Sequence, residues 1–271
     1  MLYLQGRGIM PAQIGRATRP RPYIKDHMTE KRLPSTGLPV GGVSAAALVC
    51  GDPARATMIA EQLTDVVKLS DQREYRAYRG MFGKTAVTVC SHGIGAAGAA
   101  IAFEELIGAG AKRIIRVGTC GGIQPEINTG DLVVATAAVD RTGYGRLSVP
   151  ESYPAVADGA LTEKLKSAMG DQPFAQGIVL TSDSFYPGVT TSLTPDYKQL
   201  AEANVQAVEM ECAALFLLGS LRGVQTAAIL AVDGNVLHAR ESMDSYAPHE
   251  DVVKTAVSQA INAALTAIEN G

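Results

Sequence analysis

The chain has 271 residues, of which 46% are hydrophobic and 19% charged, and its formal net charge is −3. A chain of this length buries about 70–75% of its unfolded surface and needs no staple to hold a core. The charge gives no general attraction to polyanions, and no apolar run reaches the ~18 residues of a membrane span.

The N-terminal stretch differs from the rest. Arg7, Arg16, Arg19, Arg21 and Lys25 precede the first acidic residue, Asp26. Pro11, Pro20, Pro22, Pro34 and Pro39 interrupt any regular pattern. A transit peptide is also Arg-rich and acid-poor, but this stretch is poor in serine. Residues 1–44 are expected to form a basic, Pro-rich arm, mobile or draped over a partner.

From Ala45 onward, strand-length apolar runs alternate with helical patterns. Ala45–Cys50 reads as a strand ending in Gly51-Asp52-Pro53, with a helix from Ala54 to Leu63 behind it. Pro53 suits the first turn of that helix. Thr85–Ser91 is a strand and Ala97–Ile107 a helix. Arg113–Val117 and Asp131–Val139 are strands, and Leu161–Met169 is helical. Gly177–Thr181 and Val205–Val208 are short strands, followed by the helix Cys212–Leu221 and the strand Thr226–Val232. The last helix starts near Pro248, and Val253, Val257, Ile261, Leu265 and Ile268 recur along it at helical spacing. Strands that are nearly continuously apolar argue for a mainly parallel sheet covered on both faces. Residues 45–271 show no composition break or internal repeat and are expected to form one α/β domain.

Several of the 28 glycines sit just after these strands: Gly51, Gly93, Gly95, Gly118, Gly121, Gly122 and Gly234. In open α/β sheets, ligands bind beyond the carboxyl ends of the strands. Glycine there permits tight turns and close backbone approach. Gly93-Ile94-Gly95-Ala96-Ala97-Gly98 matches the dinucleotide-binding turn G-x-G-x-x-G, but the next strand ends in Arg116-Val117-Gly118 rather than in the acid that would hold a ribose. Gly80–Thr85 falls one glycine short of a phosphate loop and reads as a plain turn. The four histidines and four cysteines lack metal-ligand spacing. The cysteines fit a reducing compartment and read as small buried hydrophobes.

Charged residues beside the glycine turns carry the chemistry. Arg55 lies on the first helical turn after Gly51-Asp52-Pro53, where free backbone N–H groups and a guanidinium make an anion site. Arg116 ends an apolar strand and needs a partner, either a bound anion or a carboxylate such as Asp52. Thr119 offers a hydroxyl and an amide to the same anion. Glu209 and Glu211 stand at the entry of an apolar helix, where an acid can cap the helix or hold a substrate diol. Asp233 ends the strand Ala227–Val232. A carboxyl emerging from an apolar wall is the setting in which a general acid keeps its proton.

Four segments taken together resemble the hexameric nucleoside phosphorylases, a family that includes purine nucleoside and uridine phosphorylases. They are Gly51–Arg55 (GDPAR), Ser91–Leu106 (SHGIGAAGAAIAFEEL), Arg116–Gln124 (RVGTCGGIQ) and Val208–Phe216 (VEMECAALF). The resemblance covers about residues 45–271, with the motifs in family order. It implies a three-layer αβα fold around a central mixed, mainly parallel sheet. It also implies a phosphate site made of Gly51, Arg55, Arg116 and Thr119, with Arg73 donated to the phosphate of a neighbouring subunit. Met210 and Glu211 match the ribose-binding pair. Cys120, Gly121, Phe185 and Val208 match the wall around the base. Uridine phosphorylases carry Gln-x-Arg after Phe-Tyr-Pro-Gly; here Phe185–Gly188 is followed by Val189-Thr190-Thr191. Asp233 in Ala231–Gly234 is similar to the aspartate that protonates N7 of the leaving purine in parasite-type purine enzymes, whereas bacterial purine enzymes carry it one position later, at Gly234. Many members have Pro-Ser where this chain has Ala97-Gly98, and the parasite enzymes look similar to this chain there. Tyr23 stands where members place a histidine for a neighbour's ribose 5′ hydroxyl, with His27 as the alternative.

The resemblance thus implies phosphorolysis of purine nucleosides. Asp233, Glu211 and Arg116 would be the catalytic groups, and inorganic phosphate the co-substrate, with no metal or organic cofactor. It further implies a cytoplasmic homo-oligomer with shared sites, built from dimers up to a hexamer, with no nucleic-acid or membrane partner. A uridine phosphorylase, a nucleosidase of the same superfamily and a non-catalytic nucleoside-binding protein are the alternatives.

Overall fold

The computed structural model describes residues 31–186, 188–238 and 250–269. In chain order it runs β1 (Ala46–Cys50), α1 (Pro53–Ala60), β2 (Thr64–Gln72), β3 (Tyr75–Phe82), β4 (Thr85–Ser91), α2 (Ala96–Ala109) and β5 (Arg113–Gly122). It continues with β6 (Leu132–Arg141), α3 (Gly143–Ser148), β7 (Ala155–Val156), α4 (Gly159–Ala168) and β8 (Ala175–Ser182). The last elements are α5 (Tyr197–Glu202), β9 (Ala207–Glu209), α6 (Cys212–Arg222), β10 (Gln225–Asn235) and α7 (Asp251–Glu269).

Strand periodicity sets the layers. Successive residues of a strand point to opposite faces, and in β10 Ala228, Leu230 and Val232 join one core while Ala227, Ile229 and Ala231 join another. The first core is closed by α2 and α6, through Phe103, Leu106, Leu215 and Phe216. The second is closed by α1, α4 and α7, through Ile59, Leu161, Leu165, Ile261 and Leu265. The result is the expected three-layer αβα arrangement. In α7, Val253, Val257, Ile261, Leu265 and Ile268 are all buried, as the helical spacing of that stripe demands.

The sheet is mixed and runs β10-β6-β8-β9-β5-β1-β4-β3-β2, and β10 also pairs with β5. The strands β5, β10, β6, β8 and β9 therefore close on themselves, and β1, β4, β3 and β2 extend from that ring. The parallel pairings of β5 with β1 and β10, of β1 with β4, and of β8 with β6 and β9 form the centre. The antiparallel hairpin β2–β3 lies at the free edge. Within Gly80–Thr85, Gly83 and Lys84 join β3 to β4 in a tight turn, with Gly83 at φ 54°. That turn is what the residues alone favoured over a phosphate loop.

Residues 31–44, which composition groups with the arm, pack on the body. Leu33 N–H donates to Leu38 O at 2.8 Å, and Leu38 is fully buried in the α2–α6 core. Glu105 of α2 anchors this strap. Its carboxylate accepts from the amides of Ser35 (3.0 Å) and Thr36 (2.7 Å) and from the Thr36 hydroxyl (2.6 Å). Burial pushes the Glu105 carboxyl up, but the hydrogen bonds outweigh it and hold the group below its ordinary value of 4.5.

A carboxyl lowered by folding stabilises the native state above its unfolded value, and that contribution fades as pH falls through the folded value. Glu105→Gln should therefore cost about 1 kcal/mol at pH 7 by urea unfolding, given the partial exposure of the site. The gap from wild type should shrink as pH drops below 4.5. A gap that stays constant with pH would contradict this role.

Candidate active site

The site forms where β5 changes neighbours. On one side, β5 pairs with β1 through Arg113–Arg116 and with β9 only from Gly121 onward. Between these pairings, Val117–Cys120 has no strand partner on that side, while β10 pairs with the whole opposite edge. Such a divergence at the carboxyl ends of strands is where open α/β sheets bind ligands. A cleft of about 1400 Å³ opens there. Arg55, at the start of α1, reaches into the gap, with Nη1 3.5 Å from Val117 O.

Arg116 is the charged centre of this wall. It shares a face of β5 with Ile114 and Cys120, so it points toward α2 and α6. Its Nη2 donates to Glu211 Oε2 at 2.5 Å and to Glu209 Oε2 at 3.3 Å. Its Nη1 lies 3.0 Å from His92 Nε2. Its Nε has no oxygen or nitrogen acceptor among the described residues. All four groups are buried. Burial alone would lower the basicity of Arg116, but Glu211 and Glu209 more than offset it and the guanidinium stays charged. Burial raises the Glu211 carboxyl, against the pull of Arg116, and the charge of Glu209 raises it further.

The two carboxylates hold more than the arginine. Glu209 Oε1 accepts from the Thr181 hydroxyl at 2.6 Å, and Glu209 Oε2 accepts from the amides of Glu211 (2.8 Å) and Cys212 (2.9 Å). It thereby satisfies free N–H groups at the start of α6. Glu211 Oε1 accepts from the Gly95 amide at 2.6 Å. Each carboxylate oxygen can take a second donor, so Glu211 keeps capacity for a ligand hydroxyl. The G-x-G-x-x-G turn is thus no dinucleotide cradle. Gly93 and Gly95 adopt φ of 74° and 96°, which aims the amide of Gly95 at Glu211. Asp52, the partner considered for Arg116, instead caps α1 by accepting from the Ala54 amide at 2.7 Å.

The expected site residues largely meet in this cleft. Gly51, Arg55, Arg116, Thr119, Cys120, Gly121, Phe185, Val208, Met210, Glu211 and Asp233 all line it. Arg73 does not. It is exposed on the β2–β3 turn at φ 56°, next to Glu74, which does line the cleft. Tyr23 and His27 lie outside the described residues. Asp233 faces the base wall near Cys120, whose thiol is raised well above its ordinary value by burial and then by the Asp233 charge. Cys212 is raised likewise, chiefly by burial. Both remain thiols at neutral pH, so neither serves as a thiolate nucleophile.

From the residues alone His92 has no role, and Glu209 is one of two acids at a helix entry, not a partner of Arg116. Glu209 ends β9 and Glu211 caps the start of α6, two positions on. His92 directly follows β4, beside the glycines of the next turn. Those placements are the only trace in the sequence of the partners of Arg116.

A glycine-rich wall, a buried guanidinium held by paired carboxylates and a cleft at diverging strand ends suit a small anionic ligand together with a hydroxyl-bearing one. Comparison with known proteins gives the class. The model of the phosphorylase superfamily matches residues 45–269. The uridine phosphorylase of Treponema pallidum is 38% identical over 232 residues, 82% of this chain and 90% of that protein. The purine nucleoside phosphorylase of Plasmodium vivax is 39% identical over 191 residues, 69% of this chain and 77% of that protein. The crystal structure of uridine phosphorylase from Vibrio fischeri superposes with a TM-score of 0.81 at 31% identity, covering 90% of this chain and 100% of that one. The chain belongs to the phosphorylase superfamily, among its nucleoside phosphorylases. Among the described residues, no helix is long and apolar enough to cross a membrane.

Gly118 makes room for the arginine. A Cβ there would lie 2.7 Å from Arg116 Cζ and 2.9 Å from Leu230 Cδ2. Gly118→Ala should therefore cost about 1–3 kcal/mol in urea unfolding through overpacking. A variant as stable as wild type would show that the guanidinium is not held where it lies.

Proposed function

We propose that this protein cleaves purine nucleosides with inorganic phosphate, giving the free base and ribose 1-phosphate. The observation that carries the reading is the pairing of Arg116 with Glu211 on one wall of the cleft, with Asp233 at its base end. An anion-binding guanidinium and a diol-binding carboxylate in contact would bring a phosphate and a ribose side by side.

Phosphate is held by Gly51, Arg55, Thr119 and Arg116, all of which line the cleft. Arg73 of a neighbouring subunit completes the cradle in a homo-oligomer, a role that its exposure allows. Met210 and Glu211 hold the ribose, with the remaining lone pairs of Glu211 accepting from the sugar hydroxyls. Phe185, Val208, Cys120 and Gly121 flank the base. A phosphate oxygen attacks C1′ as the bond from C1′ to the base nitrogen breaks. The positive charge that develops on the sugar is stabilised by phosphate and Glu211. Asp233 gives its proton to N7 of the departing purine. The nucleophile, the charge stabilisers and the acid are then all accounted for, with phosphate as the co-substrate and no metal or organic cofactor. The reaction is assigned to the cytoplasm, in an assembly of dimers up to a hexamer.

Asp233 and the absence of Gln-x-Arg after Gly188 support purines over uracil, which has no N7 to protonate. One observation favours uridine as a second reading. Arg141 and Arg146 line the same cleft, and a guanidinium is the donor a uracil carbonyl takes.

The test is base release from inosine, uridine and methylthioadenosine, each with and without phosphate. The expected result is phosphate-dependent turnover of a purine nucleoside, slowed about 10²–10⁴-fold by Asp233→Asn. Turnover of uridine alone would overturn the purine assignment, and turnover without phosphate would indicate a nucleosidase. No turnover of any of the three would leave a nucleoside-binding protein.

A further inference from the structure

We propose that His92 is a positioning residue for phosphate, fixing the Arg116 guanidinium by accepting a hydrogen bond from it as a neutral ring. The proposal rests on the reading of Arg116 as a phosphate ligand.

The geometry admits one state of this ring. His92 is fully buried directly after β4. Its Nε2 is 3.0 Å from Arg116 Nη1, and its Nδ1 is 2.9 Å from Gly93 O. A guanidinium only donates, so Nε2 accepts; a carbonyl only accepts, so Nδ1 carries the proton. Burial, and then the charge of Arg116, hold the ring well below its ordinary pKa of 6.5. Phe103 packs edge-to-face at 5.2 Å and sets the ring plane.

The arrangement does more than fill space. Both carboxylates engage Nη2 of Arg116, while among the described residues His92 is the group that engages Nη1. Without that second contact, the guanidinium is free to turn wholly onto Glu209 and Glu211. The turn that begins at His92 also sends the Gly95 amide to Glu211. One segment of four residues thus fixes both the arginine assigned to phosphate and the carboxylate assigned to ribose.

Two substitutions separate positioning from packing. In His92→Asn the amide nitrogen can take the place of Nδ1 and keep the bond to Gly93, but nothing reaches Arg116. In His92→Gln the amide oxygen reaches the position of Nε2 and can accept from Arg116. Kinetics are measured with whichever of inosine or uridine turns over faster, so the outcome does not depend on the base. His92→Asn should raise the phosphate KM about 10–100-fold, the size of a lost hydrogen bond to a charged group. The KM for nucleoside and kcat should stay within about threefold, and His92→Gln should return the phosphate KM to within about threefold of wild type. Equal losses in both variants, or an unchanged phosphate KM in His92→Asn, would overturn the proposal.

The rise in melting temperature on adding inorganic phosphate, without nucleoside, separates this idea from the one beneath it. If Arg116→Ala keeps that rise, the phosphate reading of Arg116 fails and this proposal with it. If Arg116→Ala loses the rise and His92→Asn keeps it, only the role of His92 fails. Should His92→Asn not fold, ¹⁵N NMR of the wild-type ring decides. A neutral Nδ1–H tautomer at pH 7 whose Nε2 resonance shifts on adding phosphate supports the proposal. A protonated ring, an Nε2–H tautomer or an unmoved resonance overturns it.

Discussion

The structure turns on a positive charge placed where water cannot reach it. Arg116 is buried within the central strand β5, where its pairing with β1 ends, and a buried guanidinium is tolerated only with partners of good geometry. Glu209, Glu211 and His92 supply them from β9, from the start of α6 and from the end of β4. Removing Arg116 would leave two buried carboxylates without their cation, so the cluster ties these elements to one another as it holds the arginine. Gly118, which lacks a side chain where the guanidinium folds back, is part of the same constraint.

That cluster explains why the cleft lies where it does. β5 must part from β1 and meet β9 for Arg116 to face two carboxylates at the head of α6, and the unpaired stretch Val117–Cys120 is the consequence. Closure of β10 onto both β5 and β6 keeps the opposite edge rigid. The ligand wall is therefore framed by strands on one side and by two helix N-termini on the other. Helix N-termini carry partial positive charge, and here that of α2 is directed to Glu211 through Gly95, whereas that of α1 faces the cleft beside Arg55 and Gly51.

Much of this could be read from the residues, for definite reasons. The strands β1, β4, β5 and β10 are continuously apolar because both faces are covered, and they stood out accordingly. The glycines expected to follow the strands, with Arg55, Arg116 and Asp233 beside them, located the cleft, although β5 and β10 run on through Gly118, Gly121 and Gly234. The hairpin β2–β3 did not stand out. Thr64–Gln72 is largely exposed and its register is broken by irregularities, so no alternation marks it. Ring closure through β10 is a pairing between distant segments with no local signature. The partner of Arg116 was open between an anion and a carboxylate such as Asp52. Asp52 serves α1, and Glu209, which reads in the sequence as one of two helix-capping acids, both caps α6 and pairs with the arginine. The G-x-G-x-x-G pattern pointed to a nucleotide because glycine spacing alone does not reveal which group its amides serve.

In the proposed reaction two ligands meet at Arg116 and Glu211, with phosphate as the attacking group. The most direct measurement is ³¹P NMR of the protein with inosine and inorganic phosphate. A ribose 1-phosphate resonance is expected to grow in step with the free base and at the expense of inorganic phosphate. Free base appearing with the inorganic phosphate signal unchanged would contradict this reaction.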